Sequence, residues 1–379
     1  MVRFLAVFIT VYGLLNVYVL SKVRFLLPDR PATPFLLLFF LALMVLAPIG
    51  ARLSESHGHL TLARLIAYPG YSWMGLVFLA FWLFLLADMV TLLAKWTQVA
   101  PFLRNPVLKS REATGFLFVV VAVLFLHGLL EARSIRTERV TVVTEKLPPG
   151  VSRLRIVQIS DVHLGIMVGE RRLENILQAV ERAEPDLMVL TGDMVDGNLA
   201  DGEGLIRQLS GIQPPLGKFA VTGNHEHYAG IEQSVAFLRK CGFRVLRGEG
   251  VNVEGIITIV GVDDAAGQGA SDESDLLASL QGRRFVLLLK HRPQVADGSR
   301  GRFDLQLSGH AHRGQIFPFR FFTGIRYPMQ DGLHQLEGGG KLYASRGTGT
   351  WGPPIRLLSP PEVTVIDVIS PDYTPNENL

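Results

Sequence analysis

Four long runs without a charged side chain dominate the first third of this sequence: residues 4–21, 34–51, 65–87 and 113–130. Each approaches the about 20 residues that a helix needs to cross the hydrocarbon core of a bilayer. A core helix of a soluble domain keeps one polar face toward water, whereas these runs are apolar all round. Hydrophobic residues make up 48% of the chain and charged residues only 19%, and the excess is concentrated here. The first run is long for a cleaved signal peptide, lacks an Ala-x-Ala-like site and is followed by further spans. Residues 1–135 are therefore expected to form a helical transmembrane domain.

The gaps between the runs carry Pro, Gly and charge. An even number of spans places both ends on one side. Arg3, Arg52, Arg64, Arg133, Arg136 and Arg139 fall on the N-terminal face, and Lys22, Arg24, Arg30, Lys95, Arg104, Lys109 and Arg111 on the other. Six against seven gives no orientation by the positive-inside rule. Asp88 and His127 lie near the ends of their runs, within reach of the interface. No broken-helix pair suggests a transporter core. The 37 Lys and Arg against 34 Asp and Glu leave a net charge of +3, too weak to argue for a nucleic-acid partner. A single cysteine, Cys241, excludes an intramolecular disulfide.

After Arg139 the texture changes. Short apolar stretches at 140–144, 154–160, 187–190, 219–222, 256–262, 285–289, 303–307 and 363–369 read as strands. Residues 171–183 and 231–240 read as helices, the first with Leu173, Ile176, Leu177 and Val180 on one stripe. The pattern predicts an α/β domain of layered sheets over 136–370, followed by a polar tail at 371–379.

Polar residues cluster where the strands end. Asp161 and His163 follow the second strand, Gly192-Asp193 the third, and Gly223-Asn224-His225-Glu226 the fourth. His291 and Gly309-His310-Ala311-His312 follow two later strands. Loops at the carboxyl ends of strands converge in layered α/β folds, so these five motifs can share one crevice. Carboxylate and imidazole together favour Mn, Fe or Zn over Ca. Two such ions about 3.5–4 Å apart can activate water and stabilise an in-line phosphoryl displacement. Asp193 is a candidate bridge. Each motif alone is weak, but half of the ten histidines fall in these loops. Glu226 and His227 suit either a role supporting the ligands or a place on the surface, Asp196 is a candidate to orient a ligand, and Asp263 and Asp264 read as turn residues.

The series Asp161-x-His163, Gly192-Asp193, Gly223-Asn224-His225-Glu226, His291 and Gly309-His310-x-His312 resembles the calcineurin-like metallophosphoesterases. The wording of 309–315, with Ser345-Arg346-Gly347-Thr348-Gly349, Pro353-Pro354-Ile355-Arg356 and Pro360-Pro361-Glu362, is similar to their membrane-associated YkuE-like branch. The resemblance covers roughly residues 150–370. It implies a four-layer α/β/β/α sandwich with a dinuclear site. One ion would take Asp161, His163, Asp193 and His312; the other would share Asp193 and take Asn224, His291 and His310. His225 would stabilise the transition state and protonate the leaving oxygen. Arg313 departs from the branch, which more often carries Gly there.

The implied activity is metal-dependent hydrolysis of a phosphoester, phosphodiester or pyrophosphate, with two divalent ions, Mn2+ foremost and Fe or Zn as alternatives. The membrane bilayer is the expected partner. A lipid-linked substrate such as UDP-2,3-diacylglucosamine or a phospholipid fits four spans, because similar enzymes cleave that glucosamine lipid in lipid A assembly. Those enzymes work on the cytoplasmic face, which suggests a bacterial inner-membrane protein with its catalytic domain in the cytoplasm. An anchored phosphodiesterase of soluble nucleotides is the alternative, and a non-catalytic receptor is disfavoured by the intact ligand set. The stretch 317–327, rich in Phe with interleaved Arg, suits either a bilayer interface or a hairpin whose rings enter the core.

Overall fold

A computed structural model describes residues 2–97, 110–197, 202–267, 273–280 and 284–374. The chain divides into two compact units, Met1–Leu130 with Gly352–Leu357, and Glu131–Trp351 with Leu358–Leu379.

The first unit holds four helices long and apolar enough to cross a membrane: α1 (Val2–Val23), α2 (Thr33–Ser56), α3 (Leu60–Thr97) and α4 (Arg111–Arg133). α3 runs well beyond the expected 65–87. Leu92, Leu93 and Ala94 are strong helix formers, and neither Gly nor Pro interrupts them. Its 38 residues make a rod of about 57 Å, longer than a hydrocarbon core of about 30 Å. Asp88 on α3 has a counter-ion, because the Lys22 amine lies 2.6 Å and the Tyr18 hydroxyl 2.7 Å from its carboxylate. The gap residues Pro101, Arg104, Pro106 and Lys109 lie outside the described residues. Sequence alone places all of 136–370 together, yet Gly352–Leu357 groups with these helices. The reason is packing: Ile355 is fully buried where Gly75 of α3 and Gly128 of α4 leave room for its side chain.

The second unit is built on two six-stranded sheets. The first contains β1 (Arg136–Val143), β2 (Arg153–Ile159), β3 (Leu187–Thr191), β4 (Lys218–Val221), β5 (Arg244–Val245) and β12 (Glu362–Ile369), in the order β1-β12-β2-β3-β4-β5. β2 to β5 run parallel, and β12 runs antiparallel to β2. The second sheet contains β6 (Glu249–Val253), β7 (Ile257–Gly261), β8 (Phe285–Leu289), β9 (Leu305–Ser308), β10 (Gly332–Gln335) and β11 (Lys341–Ala344), in the order β10-β11-β9-β8-β7-β6. Its inner strands are parallel and its two edge strands antiparallel.

Period-two alternation sets the layers. Ile156, Leu187 and Val189 point from the first sheet toward Ile259, Leu287 and Leu305 of the second. Val157, Met188 and Leu190 point the other way, onto α5 (Glu170–Arg182), α6 (Glu203–Gly211) and α8 (Ile231–Lys240). Val260, Val286 and Leu288 on the outer face of the second sheet meet Leu277 of α9 (Glu273–Ser279). Helices, sheet, sheet and helix thus form the expected four layers.

β2, β3, β4, β8 and β9 each end in a motif-bearing loop. Among these loops the turn at Gly192 joins a positive φ to a close backbone approach. Its φ is +86°, and a Cβ there would stand 2.6 Å from His291 Nδ1 and 2.7 Å from the Gly223 nitrogen. Gly192→Ala should therefore destabilise the protein by more than about 1 kcal/mol and disturb both loops. Gly211→Ala, at the open end of α6 with nothing within 4 Å, should be neutral or slightly stabilising. Thermal unfolding of the two detergent-solubilised variants checks the contrast.

Candidate metal centre

Each motif hangs from a strand end, and the two sheets deliver them from opposite sides. Asp161 and His163 follow β2, Asp193 follows β3, and Asn224 and His225 begin α7 (Asn224–Ala229) after β4. From the second sheet, His291 follows β8, and His310 and His312 follow β9. Asp161, His163, Asp193, His310 and His312 all have positive φ, between 48° and 72°. Asp and His tolerate this region better than most residues, but it is strained, and such strain gathers at functional sites.

The donor atoms form two adjoining groups. In one, His163 Nε2 is 3.1 Å from His312 Nε2, which is 3.4 Å from Asp161 Oδ1. In the other, His291 Nε2 is 3.2 Å from both Asp193 Oδ2 and Asn224 Oδ1, and 3.1 Å from His310 Nδ1. Asp193 belongs to a group with His291 and His310 and to another with His163 and His225, which places it between the two. All seven candidate ligands named from sequence therefore come together.

This arrangement fits a pair of cations. Imidazole nitrogens that face one another at hydrogen-bond distance have more lone pairs than protons to share. Buried His163 Nδ1 has no hydrogen-bond partner. His291 Nδ1 donates to the Thr191 carbonyl at 2.8 Å, which turns Nε2 inward as a donor to metal. The charges agree. Burial disfavours imidazolium, yet the Asp193 and Asp161 carboxylates push His291 up to about 10. Burial and neighbouring imidazoles hold His163 down to about 3 and His310 to about 4. Burial alone would raise both carboxyls, but the His312 and His291 imidazoles bring Asp161 below the usual range, and His291 does the same for Asp193. Two buried carboxylates thus draw positive charge into a ring of otherwise neutral imidazoles.

His225 lies beside Asp193 and His163, but its Nδ1 is engaged by a carboxylate. Asp196 accepts from its Nδ1 at 2.7 Å and so orients this histidine. Burial opposes protonation of His225, but the Asp196 hydrogen bond and the Asp193 carboxylate outweigh it and raise its pKa. Its ring packs edge-on against His163, Tyr228 and Trp351.

Several supports were not legible from sequence. Glu226, a candidate for either a surface or a supporting role, is buried and accepts the backbone N–H groups of Asp193, Val195 and Gly223. It ties the β3 and β4 loops together, while His227 is only half-buried. Asp264, read as a turn residue, binds Arg292 through two bonds of 2.7 and 2.9 Å beside His291. The late stretch braces the β2 loop: Thr348 N–H donates to the Ser160 carbonyl and Gly349 N–H to that of Asp161. Ser359 Oγ donates to the His312 carbonyl. Arg313 is ion-paired with Asp331 at 2.9 Å. Tyr327 places its hydroxyl 2.9 Å from His310 Nε2. Only its place in the aromatic 317–327 stretch could have drawn attention to it. That stretch is no hairpin: it forms α10 (Arg320–Arg326), which has no buried residue.

Comparison with known proteins agrees with this centre. The family model for calcineurin-like phosphoesterases matches residues 154–314. A metallophosphoesterase of Aquifex aeolicus is 42% identical over 66% of this chain and 97% of its own length. The metallophosphoesterase YkuE of Bacillus subtilis is 31% identical over 64% of this chain and 88% of its own. A transmembrane protein with a metallophosphoesterase domain from Danio rerio is 31% identical over 68% of this chain, which spans 63% of that protein.

Removing the outer partner of a liganding histidine typically costs about 10–100-fold in metal affinity. Tyr327→Phe should weaken binding of one of two ions by that factor and leave the other unchanged. Titration of metal-stripped protein, followed by calorimetry, reads this directly.

Proposed function

The chain belongs to the calcineurin-like metallophosphoesterases, and from that membership we propose a membrane-anchored, dinuclear hydrolase of a lipid-linked phosphoester or pyrophosphate. The observation that carries the reading is the convergence of Asp161, His163, Asp193, Asn224, His291, His310 and His312 in a chain that also has four apolar helices of spanning length. Asp161, His163 and His312 would hold one ion and Asn224, His291 and His310 the other, with Asp193 shared. Mn2+ suits this mixture of carboxylate, amide and imidazole donors, as do Fe and Zn.

When bound, such a pair lowers the pKa of water toward neutrality and offsets charge on the phosphoryl oxygens. The protein's own groups do the rest. Asp193 holds its Oδ2 3.2 Å from His291 Nε2, and the His225 backbone N–H donates to its Oδ1 at 2.9 Å. Asp196 holds His225 through Nδ1, which leaves Nε2 to give a proton to the departing oxygen. That transfer contributes about 10²–10⁴-fold in reactions of this kind. The substrate of choice is a phosphate carried by a lipid, such as UDP-2,3-diacylglucosamine or a phospholipid, because an anchor of four spans confines the enzyme to the plane where that substrate lies. A bacterial inner-membrane location with the catalytic domain in the cytoplasm follows from the same substrate.

Asp193→Asn should nearly abolish turnover and empty both positions on metal analysis. His225→Ala should retain metal and slow hydrolysis about 10²–10⁴-fold. Elemental analysis beside turnover separates the two roles, and an empty His225→Ala site would refute the division of labour. Stripping with chelator and restoring Mn2+, Fe2+ or Zn2+ singly identifies the ion. Substrate class is tested with full-length protein in nanodiscs, comparing UDP-2,3-diacylglucosamine with bis(p-nitrophenyl) phosphate. Preference for the soluble diester would support the anchored phosphodiesterase instead.

A further inference from the structure

α10 follows closely on the loop that carries His310 and His312, and ends at Tyr327, whose hydroxyl meets His310. An element this close to a metal site would ordinarily pack its apolar side chains inward. Here they point out. Phe317, Phe319, Phe321 and Phe322 are all exposed, Phe321 to 62%, and Ile325 reaches 83%. The rings pair with one another, Phe317 against Phe321 and Phe319 against Phe322, so the group is an organised patch. Tyr228 and Trp351 are exposed as well, and each meets the His225 ring edge-on. Grouped exposed apolar side chains of this kind mark a binding face.

We propose that α10 and its aromatic neighbours form an interfacial docking surface that seats the mouth of the metal centre against the bilayer. Three observations select a membrane as the occupant. Along the chain, only Ser134 and Ile135 separate α4 from β1, so the catalytic sheets are leashed to a membrane-spanning helix. Arg320 lies within the Phe cluster and Arg326 follows it one turn later, and guanidinium groups among exposed rings suit anionic headgroups over an acyl boundary. The patch also adjoins groups that handle a phosphate, where a lipid headgroup would have to arrive. The bilayer takes the apolar side chains, and the lipid phosphate enters past Trp351 and Tyr228 without leaving the membrane plane. This deepens the lipid-substrate reading and rests on it for the last step alone.

The test uses full-length protein in nanodiscs. Ile325→Cys is labelled with bimane and compared with Lys240→Cys on exposed α8, the native Cys241 being fully buried. Lipids carrying a nitroxide near the headgroup should quench the label at 325 and spare that at 240, while aqueous iodide should do the opposite. Equal iodide quenching at both positions, with none from the nitroxide lipid, overturns docking. In addition, Phe321→Ser with Phe322→Ser should lower turnover of nanodisc-embedded UDP-2,3-diacylglucosamine by at least about tenfold, the scale of burying a single ring. Hydrolysis of bis(p-nitrophenyl) phosphate should stay within about twofold, because neither ring touches the centre. Unchanged turnover of the lipid would count against docking. A quenched label on an enzyme inert toward every lipid phosphate would sink the substrate reading and leave docking standing. Lipid hydrolysis with an iodide-accessible label would do the reverse.

Discussion

Two carboxylates, Asp161 and Asp193, lie buried side by side at the junction of two sheets. Taking an ionised carboxylate out of water costs several kcal/mol unless opposite charge and hydrogen bonds replace the lost hydration. Much of the catalytic unit can be understood as that compensation. The His310 N–H donates to Asp161 and the His225 N–H to Asp193, each over a distance near 3 Å. Ser160 Oγ donates to Asp161 at 2.5 Å, and imidazoles crowd the remaining lone pairs. Positive charge drawn to this place is the physical basis for two divalent ions.

Meeting that demand requires donors from both sheets at once. A single parallel sheet could bring Asp161, Asp193 and Asn224 together, since β2, β3 and β4 are neighbours. It could not supply His291, His310 and His312, which come from β8 and β9 of the other sheet. The shared core of Ile156, Val189, Leu287 and Leu305 holds the two strand sets in one register, so that their carboxyl ends meet. Left-handed backbone at five of the ligands costs on the order of 1–3 kcal/mol each. Only a well-packed sandwich can absorb that strain. Glu226, Thr348, Gly349 and Ser359 then brace the loops from behind.

The surroundings are unlike the centre. Six of the seven candidate ligands are buried and His310 is half-buried, yet Tyr228, Trp351 and the Phe residues of α10 are exposed. In the proposed setting the two belong together, because a lipid phosphate has one charged end for the ligands and an apolar body for the exposed rings. The spanning helices then confine enzyme and substrate to a common plane, where collision frequency is high and the headgroup orientation is fixed.

Local properties of the sequence determined the four long apolar helices, α5, α8, most strands and the seven candidate ligands, while the short α6, α7, α9 and α10 were not read from it. Charge-free runs can avoid water only by burial or by a bilayer, and an Asp or His at a strand end needs no distant partner to be noticed. Even so, α3 passes its predicted end, because helix propensity continued beyond the apolar stretch. Tyr327 on His310, Asp196 on His225, Asp264 on Arg292 and the outward Phe side chains of α10 were decided by tertiary structure alone. Each depends on where a remote loop lands, and the packing and register of the two sheets set that position. No residue spacing within a single segment records it.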